Sequence, residues 1–215
     1  MEKKNAKDNF SLALGLFDYI NPIFYSITSI TIIKNIGKLM SKPLFIIYLI
    51  GAIVSIIFGL SIPTVKAMVG LGKMKFKMPV NLVFYVNSGI FISGIALSNY
   101  VLHLPIMATI AIIVIVLALL GLIYAKKKKF NTIAVLIGMA GYIMIYCSLI
   151  SIAVNNGYTT SIVMYAIAIC LFLFLCGIGI FANLKDARVH WVIEISNVLC
   201  QGLVAISTIL LFTLR

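Results

Sequence analysis

Seven apolar stretches set the terms for this chain, at 10–33, 44–62, 80–102, 104–125, 130–154, 161–183 and 192–214. Each is long enough, or nearly so, to cross about 30 Å of hydrocarbon as a helix. Together they take up most of the 215 residues and leave no room for a soluble domain. Only 10% of the residues are charged, against about 25% in an ordinary soluble domain. The mean hydropathy is +1.17. The expected fold is all-α: one polytopic helical membrane domain over residues 1–215, with seven transmembrane helices and short loops.

The first stretch is too long for a signal-peptide core, contains Asp18 and Asn21-Pro22, and is followed by no small-residue cleavage site. The net charge of +12 does not imply a nucleic-acid partner. The lysines are expected in loops, where they set topology and meet lipid headgroups. Thirteen of the seventeen basic residues fall at the N-terminus or after the second, fourth and sixth stretches: Lys3, Lys4, Lys7, Lys66, Lys73, Lys75, Lys77, Lys126 to Lys129, Lys185 and Arg188. That bias predicts a multi-pass protein with its N-terminus cytoplasmic and its C-terminus outside. Lys34, Lys38 and Lys42 dissent, and would form one stripe on a helical extension. If the first stretch did not cross, six spans would remain. The segment from Pro63 to Pro79 is expected to be the longest loop.

The last stretch carries a polar row. His190, Glu194, Asn197, Gln201 and Thr208 recur at helical spacing. At about 100° per residue they share an arc of roughly 60°. A glutamate in a membrane helix is costly without a partner or water, so this row should face the protein interior. Glu194 lies near the start of its span, where it is either part of a pathway or an interfacial partner of Arg188 or His190. His190 is either a loop histidine or a proton relay to Glu194, and Trp191 is an interface anchor. Asp18 lies deeper, on a face shared with Pro22, Tyr25 and Ser29, with Asn21 adjacent. Pro22 frees the carbonyl of Asp18, so a kinked helix there suits an ion or proton site, or else a buried carboxylate that fixes packing. Asn87 shares a face with Gly94 and Ser98, and Tyr142 shares one with Tyr146. Ala134-xxx-Gly138 and Gly177-Ile-Gly179 are expected packing surfaces.

The seven stretches divide as three, one and three. The repeats would be 10–102 and 130–214, with 104–125 as a linker helix. The third member of each triplet has a mid-span asparagine, Asn87 or Asn197. Parallel repeats of this kind place a transport site at their interface. The residues Asn21-Pro22, Lys34, Tyr48-Leu49-Ile50-Gly51, Phe58-Gly59 and Asn87 resemble one half of a SWEET or PQ-loop transporter. Lys185-Asp186, Ile195-Ser196-Asn197 and Gln201-Gly202-Leu203 resemble its closing segment. The resemblance implies that Asn87 and Asn197 face a sugar. The chain departs from the family in having Ile23 after Pro22, no proline in the fifth stretch and the opposite lysine bias. Vitamin transporters of the PnuC type share the plan but are rich in tryptophan, and Trp191 is the only one here.

No HExxH, GxSxG or CxxC motif occurs. Cys147, Cys170, Cys176 and Cys200 lie inside stretches and are expected to be buried and inert. His103 and His190 fall on opposite sides, so no metal or other cofactor is expected. No span carries a lysine at mid-depth. The expected function is a small secondary transporter or facilitator, not an enzyme. Asn87, Asn197, Gln201 and Asp18 would bind a polar solute, while Glu194 and His190 would bind a proton or ion or form a gate. The expected partners are the lipid bilayer and a small polar solute, with a second copy or a partner membrane chain beside it. The alternatives are a non-transporting membrane subunit serving assembly, immunity or sensing, and an intramembrane enzyme using Asp18 and Glu194 as acid and base.

Overall fold

The computed structural model describes residues 11–73, 80–103, 130–181 and 187–213. Among these residues every regular element is a helix. They are α1 (Leu12–Asp18), α2 (Ile20–Asn35), α3 (Lys42–Gly70), α4 (Val80–Leu102), α5 (Phe130–Asn155), α6 (Thr159–Phe181) and α7 (Ala187–Thr213). Five helices are long and apolar enough to cross a membrane, counting α1 and α2 together, and α6 carries a shorter apolar segment. These helices are compatible with an integral membrane protein. The expected linker helix at 104–125 and the Lys126–Lys129 run lie outside the described residues.

The first apolar stretch forms two helices in series. Ser11 caps the first by accepting from the Leu14 N–H at 3.1 Å. The break falls at Tyr19, between Asp18 and Ile20. Pro22 explains it, since it has no N–H to offer the Asp18 carbonyl and sits in the first turn of α2, where a missing donor costs least. The Tyr19 hydroxyl meets Thr64 Oγ1 of α3 at 2.6 Å and ties the junction down.

Two expected boundaries move. The second stretch was expected to end at residue 62, with a loop from Pro63. Instead α3 runs through Pro63 to Gly70. A proline inside a helix costs one backbone bond, but leaving a whole apolar turn unpaired would cost several. Ser61 and Thr64 donate to the carbonyls of Ile57 and Leu60 at 3.0 and 2.8 Å on either side of it. The extension expected to align Lys34, Lys38 and Lys42 is absent, because α2 stops at Asn35 and the chain turns before Ser41. Gly37 allows that turn to close, since a Cβ there would strike the Ile33 carbonyl and the Phe45 ring. The turn expected at Asn155-Asn156-Gly157 is present, with Gly157 at φ +73°.

The helices pack in chain order into a ring. Each of α2 to α7 contacts the next, and α7 returns to α2, while α1 lies on α3. The α3–α4 and α4–α5 seams are the most extensive. Both depend on missing side chains: a Cβ on Gly51 would meet the Gly89 carbonyl at 2.6 Å, and one on Gly94 would meet the Gly141 carbonyl at 2.6 Å. Gly138 also packs as expected, against Asn87. The expectation for Gly177 is not met, since a Cβ there would enter open space. Ile46, Ile50, Ile53 and Ile57 of α3, and Leu199, Ile206 and Ile209 of α7, form exposed outer faces.

Candidate functional site

The polar row of α7 turns inward. His190, Glu194, Gln201 and Thr208 are buried, while Ile195, Leu199, Ile206 and Ile209 on the opposite face are exposed. Asn197 is half-buried. His190 lies in the first turns of the helix and is buried, which corrects its reading as a loop residue. Glu194 is 4% exposed and does not reach for the interface. It is held from inside the ring.

Its partner is Lys66. The Lys66 ammonium donates to Glu194 Oε1 at 2.5 Å and to Asp18 Oδ2 at 2.7 Å. Asn21 completes the arrangement from the other side. Its Nδ2 donates to Asp18 Oδ1 and to Glu194 Oε2, both at 3.0 Å. Each carboxylate thus spends one oxygen on Lys66 and one on Asn21. Only the amide nitrogen of Asn21 can serve two acceptors, which fixes the orientation of the amide. Four polar side chains from α1, α2, α3 and α7 close into one buried cluster. With all three charges present its formal charge is −1.

Lys66 corrects two expectations. It is not a loop lysine reporting topology, and Glu194 is buried against Lys66 and Asn21 instead of lying at the interface. Lys66 lies four residues from the end of α3 and is 8% exposed. Gly70 packs on Ser11 and Leu12 at the same end of the ring, so the cluster sits one to two turns inside that end. A buried charge of either sign demands such pairing.

A cavity of about 110 Å³ opens beside the cluster. Asp18, Asn21 and Tyr25 line it from α1 and α2, Ser55 from α3, Tyr142 from α5, and Asn197 and Gln201 from α7. A second chamber of about 290 Å³ adjoins it and shares the walls Ile62, Val86, Ile90, Tyr142 and Asn197. Asn87 lines this second chamber together with Asn197. The two asparagines therefore border one space, as the sequence suggested. Among the described residues Asp18, on the smaller chamber, is the one charged residue in the walls of the two chambers. Three wall residues carry a buried polar atom without a hydrogen-bond partner: Asn21 through Oδ1, an acceptor, Tyr25 through its hydroxyl, and Gln201 through Nε2, a donor. Buried polar atoms are normally paired, so these three have capacity for a ligand or water.

Further along the ring the interior is filled. Tyr142 packs on Phe172 at 4.8 Å between ring centroids and on Tyr146 at 5.6 Å, and meets Tyr25 edge-on at 6.4 Å. Beyond them Tyr165 bonds Thr208 at 3.0 Å, and Ser161 and Ser207 exchange bonds with each other's carbonyls. Thr208, at the inner end of the polar row, thus fastens α6 to α7. Cys200 donates to the Ala168 carbonyl, and Cys147, Cys170 and Cys200 are free thiols. His103 ends α4 beside Asn155, Asn156 and Phe212, at the opposite end from His190. Among the described residues no group of three His, Cys, Asp or Glu side chains is placed to hold a metal ion. The chain matches no protein-family model, and comparisons with curated proteins and with solved structures find no match.

Proposed function

We propose that this protein is a multi-pass membrane transporter or facilitator that moves a small polar solute through the interior of its helix ring. One observation carries the reading: paired chambers, walled by both three-helix groups, present Asp18, Asn21, Asn87, Asn197 and Gln201 to a common space. In the filled part of the interior the buried polar groups pair with one another, as Tyr165 does with Thr208, whereas three polar atoms of the chamber-wall residues have no partner. Polar groups at this depth are costly and signify water or ligand. The groups α2–α4 and α5–α7 follow one another in the same order around the ring, which supports a two-repeat plan with the solute at their interface.

In this reading the Asp18–Lys66–Glu194 cluster is the gate at the end nearest the lysine-rich segments, the cytoplasmic end by the lysine bias. It joins α1, α3 and α7, so those helices separate only when the ion pairs part. The packed aromatic layer around Tyr142, Tyr146 and Phe172 closes the other direction. Transport requires the two closures to alternate.

The cluster also brings Asp18 and Glu194 as close as an acid–base pair would need. Lys66 stands between them and binds both, which favours holding charge over exchanging a proton with a substrate.

The test is solute uptake into proteoliposomes by the wild type and by the double variant Asn87→Ala, Asn197→Ala. Uptake that falls by about tenfold or more in the variant, with the fold retained, supports the pathway. Equal flux of every solute in both proteins would reject it.

A further inference from the structure

The walls of the two chambers restrict the chemistry of what they admit. Among the described residues Asp18 is the one formal charge on them, and it is negative. Lys66 and Glu194 sit behind it and do not line either chamber. The cation nearest Asp18 is already shared with a second carboxylate, so with all three groups ionised Lys66 offsets only one of the two negative charges. Asn21, 7% exposed, lines the same wall and has an unpaired acceptor, Oδ1, as Tyr25 has an unpaired hydroxyl. The Tyr142 ring borders both chambers and Phe172 borders the larger. Aromatic faces attract cations, and more strongly where water is excluded. Gln201, 2% exposed, lines the smaller chamber, and its buried donor Nε2 has no hydrogen-bond partner.

We infer that the solute is a small organic cation carrying a hydrogen-bond acceptor, of the amino-alcohol class. Its ammonium group lies against Asp18, Asn21 Oδ1 and the Tyr142 ring, and its hydroxyl oxygen accepts from Gln201 Nε2. A water molecule occupies about 30 Å³ of liquid. The smaller chamber, at about 110 Å³, therefore suits a few heavy atoms, with the larger one taking any remainder. An anion would meet Asp18 with no cation among the described wall residues to offset it. A neutral sugar would satisfy the amides and leave the charge unused. The inference rests on the reading of these chambers as a solute pathway, and it adds the class of solute.

The experiment titrates the purified full chain in lipid nanodiscs with choline, with ethanolamine and with the uncharged alcohol in which carbon replaces the nitrogen of choline. At least one of the two cations should bind about tenfold or more tightly than the uncharged alcohol, and Asp18→Asn should abolish that preference. Because Asp18 also holds Lys66, a second variant leaves the cluster untouched. Gln201→Leu should weaken choline severalfold while leaving tetramethylammonium, which has no acceptor, unchanged. The inference is overturned if neither cation binds, if the uncharged alcohol binds as tightly, or if folded Asp18→Asn keeps the preference. It is also overturned if Gln201→Leu affects choline and tetramethylammonium alike. Cations that bind with this preference but do not enter proteoliposomes would defeat the transport reading and leave the ligand class standing. Carriage of a neutral solute with no preference for cations would do the reverse.

Discussion

Lys66 reaches two carboxylates because its chain of four methylenes carries a compact ammonium with three protons, two of which the structure uses. Losing it strands Asp18 and Glu194 as two buried like charges joined only by Asn21. Lys66→Met should therefore lower stability by about 3–5 kcal/mol, measured as thermal or denaturant unfolding in detergent. Replacing all three charges together (Asp18→Asn, Lys66→Met, Glu194→Gln) should recover most of that loss, because no unpaired charge remains. A single variant no less stable than wild type would show that the cluster carries no structural charge. Glu194, Asn197 and Gln201 were legible in the sequence because a period of 3.6 put them on one face. Lys66 was hidden by its neighbour. Ser55, Gly59, Ile62 and Lys66 obey the same period, but Pro63 was read as the end of the helix, which placed Lys66 among loop lysines.

Helices in this chain are shaped by small residues and prolines more than by capping. Pro22 breaks the first stretch and Pro63 does not break the second. Position decides the difference: Pro22 falls in a first turn, while Pro63 has helix on both sides and hydroxyl donors beside it. Pro22 also packs on Gly59 of α3, where an added Cβ would come within 3.3 Å. The seams make a sharper prediction. Gly94→Ala places a methyl group 2.6 Å from the Gly141 carbonyl and should destabilise by about 1–3 kcal/mol. Gly177→Ala fills open space and should be neutral or stabilise by up to about 1 kcal/mol through helix propensity. Unfolding measured in one detergent for both variants checks the contrast, and equal effects would contradict these seams. From sequence the two glycines looked alike, because spacing alone does not say which face of a helix has a neighbour.

The whole ring closes through the contact between α7 and α2, which are far apart in the chain. Hydrophobic length revealed where most of the described helices lie, because a backbone in an apolar setting must satisfy its own hydrogen bonds. It could not reveal the order around the ring, since lipid-facing and helix-facing apolar residues read alike. The meeting of Asp18 with Glu194, 176 positions apart, is a consequence of that closure. In the proposed transport reading, that meeting is the gate. If the ring encloses a pathway, its wall must be wet where its outer face is dry. Asn197 borders both chambers, while Leu199, two residues on, is exposed on the outer face. The decisive measurement places a single cysteine at each position, as Asn197→Cys or Leu199→Cys, in a chain whose own cysteines are replaced. A membrane-impermeant thiol reagent is then added from each side of the membrane. The account predicts rapid modification at 197 from the lysine-rich side and none at 199. No reaction at 197 from either side, or equal reaction at both positions, would contradict it.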